Sequence, residues 1–153
     1  MVKCHYHILL PRLIVWATTL IGVAGCGNGH PIAQVRGKVV FKNGEMPKTS
    51  VRYIRFECAA DTDAVIRKGA SCAIDDNGSF ELYTRRPGDG VHYGKYAVTF
   101  AIQQGPMDRR PLIPAKYTNA KTTPYLVVVD KDLDNLEFEI DQSRAPSSNP
   151  SSR

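Results

Sequence analysis

Cys26 is the residue best placed for chemistry. It ends the run Leu20-Ile21-Gly22-Val23-Ala24-Gly25-Cys26, behind an apolar stretch that begins near Leu13. A thiol directly after small residues, at the close of a short apolar segment, is what lipid modification acts on. The sulfur takes a diacylglyceryl group, and the amino group freed by cleavage takes a further acyl chain such as palmitate. Lys3 and Arg12 supply a basic leader and Leu13–Val23 an apolar segment, followed by a small-residue cleavage site at Ala24-Gly25. A spanning helix needs roughly 18 or more apolar residues, and Pro11 with Arg12 interrupts any extension back to Ile8. Residues 1–25 therefore read as a lipoprotein signal peptide, and the expected product is a membrane-anchored envelope lipoprotein. Each buried CH₂ contributes about 0.8 kcal/mol, so several acyl chains hold where one would not. Gly27 follows the cysteine where an Asp would favour inner-membrane retention, which leans towards the outer membrane.

Of the four cysteines, Cys4 leaves with the signal and Cys26 is consumed by lipid, so Cys58 and Cys72 remain. An exported compartment permits disulfides, and the parity is right for one. A bridge closing a loop of about 15 residues would contribute about 3 kcal/mol in the chain-entropy picture. Two buried thiols acting as small hydrophobes are the alternative.

Other constellations are weaker. Asp75-Asp76-Asn77-Gly78 offers oxygens for a hard cation, but the cluster is short and reads better as a hairpin turn. His30 and His92 stand apart, without partners at zinc-ligand spacing. No G-x-S-x-G elbow surrounds Ser50, Ser71 or Ser79. Glu137 and Glu139 share a strand face that their apolar neighbours turn towards solvent. The most polar loop, 84–93, carries Arg85, Arg86, Asp89, His92 and Tyr93, a set that offers contacts to an anionic glycan but reads better as a solvated loop. These residues predict no catalytic centre, no metal and no cofactor. Losing Lys3 and Arg12 brings the formal charge from +5 to +3, and both signs are interspersed, so no basic stripe addresses nucleic acid.

The elements that must position these groups have a period of two. Val35, Gly37, Val39 and Phe41 alternate with Arg36, Lys38, Val40 and Lys42, before an Asn43-Gly44 turn. Ile54, Phe56 and Cys58 share one face against Tyr53, Arg55 and Glu57. Residues 70–83 read as a hairpin, with Cys72, Ile74, Phe80 and Leu82 on one face. In 94–102, Tyr96, Val98, Phe100 and Ile102 point in and Lys95, Ala97, Thr99 and Ala101 out. The apolar run 125–130 reads as a strand buried on both faces. Leu136, Phe138 and Ile140 end the pattern. The expected organisation is a signal at 1–25, a tether at 26–33, an all-β domain at 34–141 built as a seven-stranded antiparallel β-sandwich, and a disordered Ser/Pro-rich tail at 142–153.

The segments VRGKVVFKNGEMP, VRYIRFEC, AIDDNGSFELYT, GDGVHYGKYAVTF and IPAKYTNAKTTPYLVVV, in that order, resemble small bacterial envelope lipoproteins with a transthyretin-like, carboxypeptidase regulatory-like domain. The resemblance covers about 34–141 and rests on order and spacing, because each motif is only a strand plus a turn. The chain departs from the pattern at Ile74, Cys72 and Thr123, where Thr, Gly and Ser are usual. The resemblance implies a transthyretin-like fold and a non-catalytic structural or protein-interaction role. The alternative is a carbohydrate- or ligand-binding lipoprotein working through loops 84–93 and 103–124. Expected partners are the membrane, through the lipid, and envelope proteins or glycans.

Overall fold

The computed structural model describes residues 30–42 and 44–142. The signal segment, Cys26, the start of the tether and the tail from 143 lie outside the described residues. No helix among the described residues is long and apolar enough to cross a membrane.

Alternation of apolar and polar residues gives strands throughout. These are β1 (Ile32–Ala33), β2 (Val35–Phe41), β3 (Val51–Cys58), β4 (Ala70–Ala73), β5 (Ser79–Glu81), β6 (Val91–His92), β7 (Gly94–Gln103), β8 (Leu126–Val129) and β9 (Leu133–Ile140), with one 3₁₀ turn at Ala115–Tyr117. They form a four-stranded sheet in the order β4-β3-β7-β8, a three-stranded sheet β5-β2-β9 and a two-stranded ribbon β1-β6. Phe138 of β9 meets Phe56 and Phe100 of the larger sheet edge-on, at 6.3 and 5.8 Å between centroids, and stacks on Phe80 of β5 at 5.9 Å. The two larger sheets are thus packed through one aromatic cluster. Most of the inward sets read from the alternation are buried, among them Val35, Val39, Phe41, Ile54, Phe56, Cys72, Ile74, Phe80, Leu82 and Tyr96, while Gly37, Cys58 and Leu136 are only partly so.

The structure corrects several expectations. It holds nine described strands in three sheets, where seven antiparallel strands were expected. β2 and β9 are parallel, with Val39 opposite Phe138. Antiparallel order follows from tight hairpins, but most of the domain separates these two strands, so no turn dictates their direction. The register shifts between Val35 and Gly37, and there a Cβ on Gly37 would lie 2.1 Å from the Leu136 carbonyl oxygen. Residues 70–83 do not stay in one sheet. β4 pairs with β3 and β5 with β2, leaving a single bridge between Ser71 and Tyr83. The chain crosses between layers at the turn, because Cys72 and Ile74 face the same interior as Phe80 and Leu82 from the opposite sheet.

The tether does not stay free to residue 33: β1 pairs with β6 and buries Ala33. β8 is an edge strand with one face outside, so Leu126 and Val128 remain 58% and 59% exposed. An apolar run states composition and cannot report how many faces are covered. The reverse holds in β7, where Ala97 and Thr99 are buried on the supposed outer face. Glu57 on β3 reaches across to accept a 2.7 Å hydrogen bond from Thr99 Oγ1.

Candidate functional site

Loop 84–93 owes its shape to one carboxylate. Asp89 Oδ1 accepts from the Thr84 amide at 2.8 Å, and Oδ2 accepts from the amides of Arg85 and Arg86 at 2.9 and 3.0 Å. Burial opposes the charge on Asp89, but these backbone donors outweigh it and hold the carboxyl below its usual range. Thr84 Oγ1 donates to the Gly90 carbonyl at 2.9 Å. Gly90 has φ of 71° and approaches the Ala33 carbonyl so closely that a Cβ would sit 2.6 Å from its oxygen. β1 is thereby laid beside β6, with Ile32 opposite His92, while the Tyr96 hydroxyl donates to the His92 carbonyl at 2.8 Å.

Two grooves flank this ribbon. One, of about 340 Å³, is lined by His30, Ile32, Lys68, Arg85, Asp89 and His92, with Ile66 and Thr84 completing it. The other, of about 220 Å³, runs past Tyr93, Ala64 and Val65 to Asp130 and shares His30, Ile66 and His92 with the first. Burial, then the nearby positive charges of Lys68 and His30, lower the pKa of His92. Its Nδ1 is buried without a hydrogen-bond partner.

Of the loop residues singled out from the sequence, Arg85, Asp89 and His92 therefore line one groove, Tyr93 lines the other, and Arg86 lines neither. Lys68, Ile32 and His30 join them from the 59–69 stretch and the tether. Sequence reasoning missed Lys68 and Ile32 and weighed His30 only as a zinc ligand, because nothing local signals a neighbour so far along the chain.

Loops 84–93 and 103–124 do not combine into one site. β7 separates their near ends by nine residue steps, about 30 Å. The start of the second loop turns back on itself at the far end, where Gln103 pairs with Pro111. It then returns along the sheet, and Thr123 Oγ1 donates to the Val98 carbonyl at 2.6 Å.

That far end holds a cluster the sequence did not single out. Asp141 accepts from the Tyr117 hydroxyl at 2.8 Å and from Lys116 Nζ at 3.1 Å, and its other oxygen faces Lys42 Nζ at 3.3 Å. The Tyr117 hydrogen bond, then those from Lys116 and Lys42, hold the Asp141 carboxyl down at about 2. Tyr117 stacks on Tyr125 at 6.0 Å, and the Tyr125 hydroxyl donates to the Glu139 carbonyl. The cluster pins the 3₁₀ turn to the end of β9.

The remaining candidates resolve locally. Asp75 Oδ1 accepts from the amides of Asn77 and Ser79 at 2.9 and 2.7 Å, so the acidic run is organised as a turn. Among the described residues no three of His, Cys, Asp and Glu converge as metal ligands would. Cys58 and Cys72 do not bridge: both are free thiols. Both lie on the β3–β4 pair, but Cys72 stands opposite Ile54, four residues along β3 from Cys58. Four strand residues span about 13 Å, beyond the roughly 7 Å a disulfide tolerates. Inward orientation was read correctly for Cys72, which is buried, but facing one core does not fix position along a strand.

Comparison with known families, curated proteins and solved structures finds no match to this chain.

Proposed function

We infer that this chain is a lipid-anchored module of the bacterial cell envelope, of transthyretin-like β-sandwich type, with a structural or protein-interaction role and no catalytic one. One observation carries this best. Two acidic side chains that the sequence offered as candidate ligands, and a third that it did not single out, are occupied in holding loops to the β framework. Asp89 folds loop 84–93, Asp75 closes its turn, and Asp141 ties the 3₁₀ turn to β9. Such loops keep a fixed shape on a rigid body, which is what a presented interaction surface requires. The described chain starts at His30, beside loop 84–93, so an anchor at Cys26 would hold that end to the membrane. Loops 44–50 and 103–112 would be displayed at the other end.

Fatty-acid labelling of cells expressing the chain and its Cys26→Ser variant tests the anchor. Wild type should carry label and sediment with membranes, and the variant should carry none. Equal label in both would remove the basis for the reading. Co-purification of envelope proteins with the lipidated form, compared with a variant whose 104–110 loop is replaced by a short Gly/Ser turn, tests the display.

A further inference from the structure

We propose that the groove between β1, the 59–69 stretch and loop 84–93 takes the phosphate of an anionic lipid headgroup, so that the domain rests on the membrane through this end. The proposal rests on the lipid-anchor reading for the source of the phosphate, but not for the chemistry of the groove. That chemistry is cationic. Lys68 and Arg85 line the groove from two different segments, and His30 and His92 stand beside them. Among the described residues neither Lys68 nor Arg85 makes an ion pair. The one carboxylate present, Asp89, has its oxygens engaged by three backbone amides. Two side-chain cations that make no ion pair and outnumber the single carboxylate, held across a concave surface of about 340 Å³, suit a compact anion such as a phosphate.

Position selects the headgroup over a free phosphate ester. His30 lines the groove and lies four residues after Cys26, so at most about 14 Å of extended chain separates it from the attachment point. Two large apolar side chains are exposed on the same end, Ile32 at 48% and Val65 at 79%. An apolar pair beside a cationic groove matches the layering of a bilayer surface, where acyl chains lie just beneath charged headgroups.

Two measurements on the full chain test this. The first is NMR of the His92 ring during titration with inorganic phosphate, against sodium chloride at equal ionic strength. Burial and then the Lys68 charge lower the His92 pKa, so an anion bound beside Lys68 should raise it. The Lys68→Glu/Arg85→Glu double variant should lose that response by about tenfold or more in apparent affinity. The second is amine labelling of the lipidated chain in vesicles, read by mass spectrometry. Lys68 should be protected relative to Lys48 in phosphatidylglycerol vesicles but not in phosphatidylcholine. A phosphate response without Lys68 protection would overturn the headgroup as occupant and leave a free-phosphate site. No phosphate response, or one unchanged in the double variant, would overturn the groove itself. Loss of the Cys26 anchor would show separately, in the fatty-acid labelling, and would leave the phosphate titration standing.

Discussion

Asp141 gathers three polar side-chain partners, Tyr117, Lys116 and Lys42. Its carboxyl is held at about 2, against roughly 3.9 in an unfolded chain. A depressed carboxyl contributes stability above the unfolded value and loses it as pH falls through the folded one. The melting temperature should therefore fall between about pH 4 and about pH 2, and part of that fall should vanish in Asp141→Asn. Thermal unfolding followed by circular dichroism in steps across this range checks it, and an identical pH slope in the variant would refute it. Cys72 makes a second residue-scale case. Burial pushes its thiol up to about 11, whereas Cys58 is only partly buried. Without reductant, both should take one alkyl group each in denaturant. In the native protein Cys58 should react first, since the thiolate is the nucleophile. Mass spectrometry of timed alkylation reads both results.

At the scale of the elements, the two larger sheets depend on Phe138. It lies within aromatic contact of Phe56, Phe80, Phe100 and Tyr125, and is 4% exposed. Phe138→Ala should cost about 3–5 kcal/mol, as truncation of a buried aromatic does. Phe100→Ala should cost a similar amount, because Phe100 packs edge-on against both Phe138 and Tyr125. The double variant should lose less than the two separate losses together, because the pair shares one contact. Urea midpoints of the four proteins test this, and simple additivity would show that the two rings are energetically independent. Gly37 is the complementary case, where an added atom is the problem. The neighbouring strand's backbone occupies the space a Cβ would take, so Gly37→Ala must shift β2 from β9 and should lower the urea midpoint clearly.

Across the whole molecule, the two ends of the sheets differ. One carries the start of the described chain, the 59–69 stretch and loop 84–93. The other carries loops 44–50 and 103–112, with Met107 97% exposed at a loop tip. If the first end faces the membrane, trypsin acting on the lipidated chain in phosphatidylglycerol vesicles should cut after Arg109 and spare Arg85. The same digestion in detergent should cut at both ends. Peptide mapping distinguishes the two, and equal cleavage at both loops in vesicles would contradict the orientation.

Strand identity and facing were legible in the residues themselves. Val35-Val39-Phe41, Ile54-Phe56 and Phe80-Leu82 each declare a buried face through a period of two, because successive strand side chains must point to opposite sides. The tight turn at Asp75–Ser79 was equally local, since Asx chemistry acts within a few residues. What the tertiary structure alone decided concerns relations between distant segments. Period two does not say that β2 and β9 run parallel, that β4 and β5 part into different sheets, or that β8 lies at an edge. It places Cys58 and Cys72 in one core but not four residues out of register. The groove is of the same kind: Lys68, Arg85 and His92 carry no shared spacing, and they meet only because β1 pairs with β6 beside the 59–69 stretch. Alternation is a property of one strand, whereas register, direction and the meeting of loops are set when separate strands choose their neighbours.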